Sequence, residues 1–149
     1  LSLVGSEMCI RDRTYRADFG TNFKEFPNVD LGYRVNINNY TGTNVSNTYI
    51  NHMPFINFEW AFLDGFLFEA EYKYNYYTSP TTGPSSIFDF LDATLYYTTK
   101  NEKWEYKAGV TNLLNTDIIR QDSFNNSVTS TQEIYVLPRY ILFGVKFKI

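Results

Sequence analysis

The stretch "YILFGVKFKI", residues 140–149, decides how the chain is read. Its odd positions are Ile141, Phe143, Val145, Phe147 and Ile149; its even positions are Tyr140, Leu142, Gly144, Lys146 and Lys148. Apolar side chains recur every second residue, the period of a pleated strand with one apolar face. The same period appears upstream. Val29, Leu31, Tyr33, Val35 and Ile37 alternate with Asp30, Gly32, Arg34, Asn36 and Asn38. Ile56, Phe58, Trp60 and Phe62 flank Asn57, Glu59 and Ala61, and Phe66, Phe68, Ala70, Tyr72, Tyr74 and Tyr76 flank Leu67, Glu69, Glu71, Lys73 and Asn75. Trp104, Tyr106, Ala108 and Val110 repeat the pattern, and Leu91, Ala93, Leu95 and Tyr97 repeat it more weakly. A partial segment lies around Tyr15–Phe19. No stretch of comparable length carries a helical period. The spacing predicts an all-β chain, an antiparallel up-and-down meander of about six to seven long strands.

Composition agrees. Thirteen Tyr, 13 Phe and 2 Trp make 19% of the 149 residues aromatic, a bias toward pleated strands. The length suits one domain. The net charge is −3 and the cations are scattered, so no electrostatic footprint for nucleic acid is visible. No apolar run reaches the roughly 18 residues of a membrane-spanning helix, which a transmembrane barrel would not show either.

The connections add a second signal. Asp64-Gly65 reads as a two-residue hairpin turn, and Lys100–Lys103 as a short polar one. Residues 39–52, 79–86 and 113–133 read as longer loops. Short and long connections alternate, as in transmembrane barrels. A soluble sandwich or a lipocalin-like barrel would carry the same alternation with its apolar face turned inward. Strand length, aromatics near strand ends, and the charges Arg34, Glu59, Glu69, Glu71, Lys73, Glu105, Lys107, Lys146 and Lys148 along the other face favour lipid outside. The expectation is part of a transmembrane β-barrel, or an open curved sheet if the chain is isolated.

Asn112-Leu113-Leu114-Asn115, followed by a long loop and then Pro138-Arg139 leading into the last strand, resembles the end of TonB-dependent outer-membrane receptors. In the final strand Gly144, Phe147 and Ile149 resemble a barrel-closure signal, with Ile149 where an aromatic is commonest and Leu142 where a polar residue is frequent. The resemblance covers about residues 20–149. It implies a fragment of a barrel of about 22 strands, with a plug domain and further strands upstream. It also implies uptake of a siderophore, cobalamin, oligosaccharide or peptide, driven by an inner-membrane energy transducer. Outer-membrane lipid and the barrel-assembly machinery would be the other partners. A small passive barrel or structural protein, and a soluble β-sandwich binding module, stand as alternatives.

Chemistry-bearing residues are few. Glu69 and Glu71 share a face near Lys73, which invites an acid–base reading; a solvated lumen wall that also includes Arg34 and Glu59 is the plainer one. His52, the only histidine, falls in a predicted loop, so neither a metal site nor a catalytic constellation can be assembled, and no cofactor is expected. Tyr40, Tyr49 and Phe124 are loop aromatics placed to contact a sugar or siderophore, or to pack the loops themselves. The opening "LSLVGSEMCIRDR", residues 1–13, lacks the order of a signal peptide. It resembles a translated transposon mosaic-end adapter: ATG TGT ATA AGA GAC AG reads Met8-Cys9-Ile10-Arg11-Asp12 and begins Arg13. The expected division is therefore adapter over 1–13 and barrel over 14–149, with Cys9, the only cysteine, outside the barrel.

Overall fold

A computed structural model describes residues 9–24, 26–41, 46–80, 85–125 and 128–148. In chain order the strands are β1 (Cys9–Gly20), β2 (Asn28–Thr41), β3 (Ser46–Phe62), β4 (Phe66–Thr78), β5 (Ser85–Thr98), β6 (Trp104–Thr111), β7 (Ile118–Asn125), β8 (Val128–Tyr135) and β9 (Tyr140–Phe147). Seven of them form one antiparallel sheet in the order β1-β2-β3-β4-β5-β6-β9, and β7 and β8 form a separate two-stranded ribbon. The meander is not closed, since β1 and β9 are its two edges. The all-β reading holds.

Register sorts the side chains by face, because residues directly opposite on neighbouring strands point the same way. One apolar row runs Leu31, Ile56, Tyr72 and Leu91; another runs Phe58, Ala70, Ala93, Val110 and Ile141. No other element among the described residues covers this face: Ile141 is 64% and Phe143 82% exposed. Among the described residues the only large hydrophobic side chain that is buried is Tyr49, on the polar face.

Aromatic rings concentrate at two levels of the apolar face. At the end with the tight turns, Trp60, Phe62, Phe66, Tyr97, Tyr106, Trp104 and Phe147 form a chain of ring contacts across five strands. Neighbouring centroids there lie 4.5–6.5 Å apart. At the other level, His52 sits between Tyr33 and Tyr76, with centroids at 6.0 and 5.9 Å. Tyr76 is ten positions from Phe66 along β4, about 33 Å of strand.

Several expectations are corrected. The two-residue turn is a three-residue one, with Phe62 opposite Phe66 and with Leu63 (φ 52) and Gly65 (φ 88) in left-handed backbone. Gly65 is needed there twice over: a side chain would be strained at that φ and would run into the Thr98 carbonyl, which lies against it. Most of residues 39–52 is strand: β2 and β3 stay paired out to Thr41 and Ser46, and residues 42–45 lie outside the described residues. Both faces turn polar in this stretch, which removes the alternation without removing the strands. Residues 113–133 likewise contain most of the β7–β8 ribbon. β1 is a full strand of 12 residues rather than a partial one. Within it Arg11 and Arg13 take positions on the apolar face, opposite Asn39 and Ile37, where Tyr15, Ala17 and Phe19 continue the row. The last strand ends at Phe147 rather than at the final residue.

Candidate functional site

The opposite face is polar and carries every charged candidate. Register places Arg34 on β2, Glu59 on β3, and Glu69, Glu71 and Lys73 on β4, all on this face. Glu59 stands directly opposite Glu69, and Asn57 opposite Glu71. The sheet also brings in carboxylates that were not singled out from sequence. Asp30 is opposite Asn57, and Asp92 is opposite Glu71. Together Asp30, Asn57, Glu59, Glu69, Glu71 and Asp92 line a concavity of about 580 Å³. The signal for Asp30 and Asp92 was present in their parity, since each alternates with apolar residues as the named charges do.

Local pairing explains part of the arrangement. Lys73 Nζ lies 2.7 Å from Glu71 Oε2, and Asp92 Oδ1 accepts a hydrogen bond from Asn112 N at 2.8 Å. Glu59 and Glu69 face each other without a cation in salt-bridge range among the described residues, an unfavourable cross-strand pair in a solvated setting. Glu59 is exposed and Glu69 half-buried, and carboxylates gathered on one face set up a negative field there. No group of three or more His, Cys, Asp and Glu capable of holding a metal ion occurs among the described residues.

The aromatic candidates are relocated. Tyr40 and Tyr49 are strand residues on the polar face, near the end away from the tight turns. Their rings meet edge to face at 5.8 Å, and Tyr49 stacks on Tyr77 at 5.5 Å. Tyr49 is 3% exposed, so it packs this end of the sheet and presents little ring to a ligand. Phe124 falls in β7, and its side chain lies outside the described residues. His52 is also a strand residue, on the apolar face, with Nδ1 hydrogen-bonded to the Tyr33 hydroxyl.

The Asn112–Asn115 motif proves to be a knot. Asn112 is 2% exposed with φ 54, and Asn115 has φ 58. Asn112 Nδ2 donates to the carbonyls of Thr116 (2.8 Å) and Leu137 (3.0 Å), while its Oδ1 accepts from Thr116 N at 2.9 Å. Asn115 Oδ1 accepts from Arg139 N at 3.2 Å, and Thr116 Oγ1 donates to the Asp89 carbonyl at 2.5 Å. The two halves of the motif, Asn112–Asn115 and Pro138-Arg139, thus meet in space. They tie the base of the β7–β8 ribbon to β5 and to the start of β9. Gly144 lies on the polar face opposite Lys107, with room for a side chain, and Phe147 packs on Trp104 at 4.6 Å. Ile149 lies outside the described residues.

Comparisons with protein-family models, with curated proteins and with solved structures gave no match to this chain.

Proposed function

We propose that the chain is a section of wall from an outer-membrane β-barrel receptor of a Gram-negative bacterium. In this reading it takes up a scarce or bulky solute (a siderophore, cobalamin or oligosaccharide) with energy from an inner-membrane complex of the TonB type. The observation that carries the reading is the two-faced sheet. Its apolar face carries exposed or half-buried side chains on all seven strands, and it is bounded by two levels of aromatic rings about 33 Å apart along β4, which at the roughly 40° tilt of membrane-barrel strands would span about 25 Å, the height of their apolar band. Its polar face carries the charges that would line a water-filled lumen. In water the apolar face would be an aggregation liability; against hydrocarbon it is satisfied. The seven-stranded sheet would be joined at its edges by further strands, with a plug domain inside and insertion carried out by the barrel-assembly machinery. Residues 1–13 are read as foreign to it because they match the translated adapter sequence.

The test is refolding into vesicles containing brominated lipid. Trp60 and Trp104, both on the apolar face, should be strongly quenched. A chain that stays monomeric without detergent and melts cooperatively would overturn the membrane reading. Uptake is checked in an independent clone carrying the sequence that natively precedes the codon for Thr14: coding sequence for a plug is expected. One or two further strands with no plug would make the protein a small passive barrel instead.

A further inference from the structure

The polar face holds a second, smaller cavity of about 300 Å³, distinct in character from the acidic one. Arg16, Arg34, Met53, Phe55, Glu71 and Lys73 contribute to its lining. Arg16 and Arg34 stand directly opposite each other on β1 and β2, a like-charge juxtaposition that weakens a sheet when nothing lies between the charges. Two of the three cations are compensated within the chain. Arg16 Nε is 2.6 Å from Asp18 Oδ2, and Lys73 Nζ is 2.7 Å from Glu71 Oε2. Arg34 forms no ion pair among the described residues. One guanidinium is therefore left uncompensated beside a cavity, half-buried in a strand that both neighbours hold in register. One wall is stiff as well: the Phe55 ring lies over Gly32, where a side chain would collide with it, and Arg16 sits 5.5 Å from the ring centroid.

We propose that Arg34 is an anion-binding residue and that this cavity receives a carboxylate or phosphate group of a solute. A guanidinium presents a planar fork of donors that matches either group, and one excess positive charge suits one bound anionic group. Arg16 and Lys73 are balanced by Asp18 and Glu71 and add little net field, and Glu71 limits how much further negative charge the cavity accepts. The proposal deepens the uptake reading and rests on it for the polar face being the wet one. It assigns the solute a negatively charged group.

The experiment titrates citrate and inorganic phosphate into the whole chain refolded in detergent micelles. Heat is recorded at low ionic strength, where screening is weak. Saturable binding is expected. Arg34→Gln should weaken it by about tenfold or more, as loss of a charged hydrogen-bonded contact does. Lys107→Gln, a cation on the same face outside the cavity, should change it by less than about twofold, as expected for a screened, distant charge. Arg34→Lys keeps the charge without the fork and should fall between wild type and Arg34→Gln. Far-UV circular dichroism confirms strand content in each variant; if Arg34→Gln loses its strands, Arg34→Lys decides. Absence of saturable binding by the folded wild type overturns the proposal, as does equal loss in Arg34→Gln and Lys107→Gln, or an Arg34→Lys chain that binds like wild type. Quenching by brominated lipid without anion binding overturns this proposal alone. Saturable anion binding by a chain that stays monomeric without detergent overturns the membrane reading alone.

Discussion

The two ends of the sheet are held by opposite means. At the tight-turn end, seven aromatic rings touch in a row across β3, β4, β5, β6 and β9, and Trp60 and Trp104 remain 39% and 40% exposed. At the other end, Asn112 is 2% exposed and is tied by three side-chain hydrogen bonds to Thr116 and Leu137. On the proposed reading the ring row depends on the medium, because its favourable term would be contact with an apolar or interfacial surrounding. The knot is self-sufficient, because its polar groups find their partners inside the chain. On the proposed membrane reading both are needed: the medium would satisfy the outer surface, and internal hydrogen bonds would fix the geometry of the ribbon.

The comparison is broken most directly at Asn112. Asn112→Ala strands buried polar groups at about 1–3 kcal/mol each and puts Ala in left-handed backbone at about 1 kcal/mol more. The expected loss is about 3–5 kcal/mol by urea unfolding in detergent, with hydrogen-exchange protection falling first in β7 and β8. An unchanged midpoint would mean that the ribbon is not anchored there. Asn112→Gly keeps the backbone conformation without the hydrogen bonds and should lose less. Gly65→Ala tests the turn end and should cost about 1–3 kcal/mol through a strained φ and a clash with the Thr98 carbonyl. Its effect should be the same in detergent and in vesicles, since it is a backbone effect. Trp104→Leu should have the smallest effect, about 1 kcal/mol or less for the lost ring contacts with Tyr106 and Phe147. That loss should change between detergent and lipid bilayer. A medium-independent loss would show that the rings act on one another rather than on their surroundings.

How much was legible depended on how local each feature is. Period two in residues 140–149 is a property of one strand, and it identified β9 and its two faces without reference to any partner. The same holds for β3, β4 and β6. The stretch 39–52 was misread because Asn39, Tyr40, Thr48 and Asn51 are polar on both faces of the β2–β3 hairpin. Alternation reports a strand only where one face is apolar. Asp64-Gly65 marked a turn correctly, but its length was set by the pairing of Phe62 with Phe66. The charges of the polar face were legible by parity, and Arg34 was among them. That Arg34 alone lacks a counter-ion within its cavity was not legible, since Asp18 and Glu71 pair with Arg16 and Lys73 only through side-chain reach on a formed sheet.

By itself, then, the sequence determined that the chain is built of strands, which side is apolar in the strands it identified, and where β3 turns into β4 and β5 into β6. These follow from side-chain alternation and turn chemistry over a few neighbouring residues. Tertiary structure decided which residues stand opposite one another: Arg16 against Arg34, Glu59 against Glu69, Trp104 against Phe147, and Asn112 against the distant carbonyl of Leu137. The physical reason is that a strand's period fixes the direction of its side chains, whereas register is set jointly by two strands and their connection. The acidic concavity, the cavity at Arg34 and the Asn112 knot are all products of register.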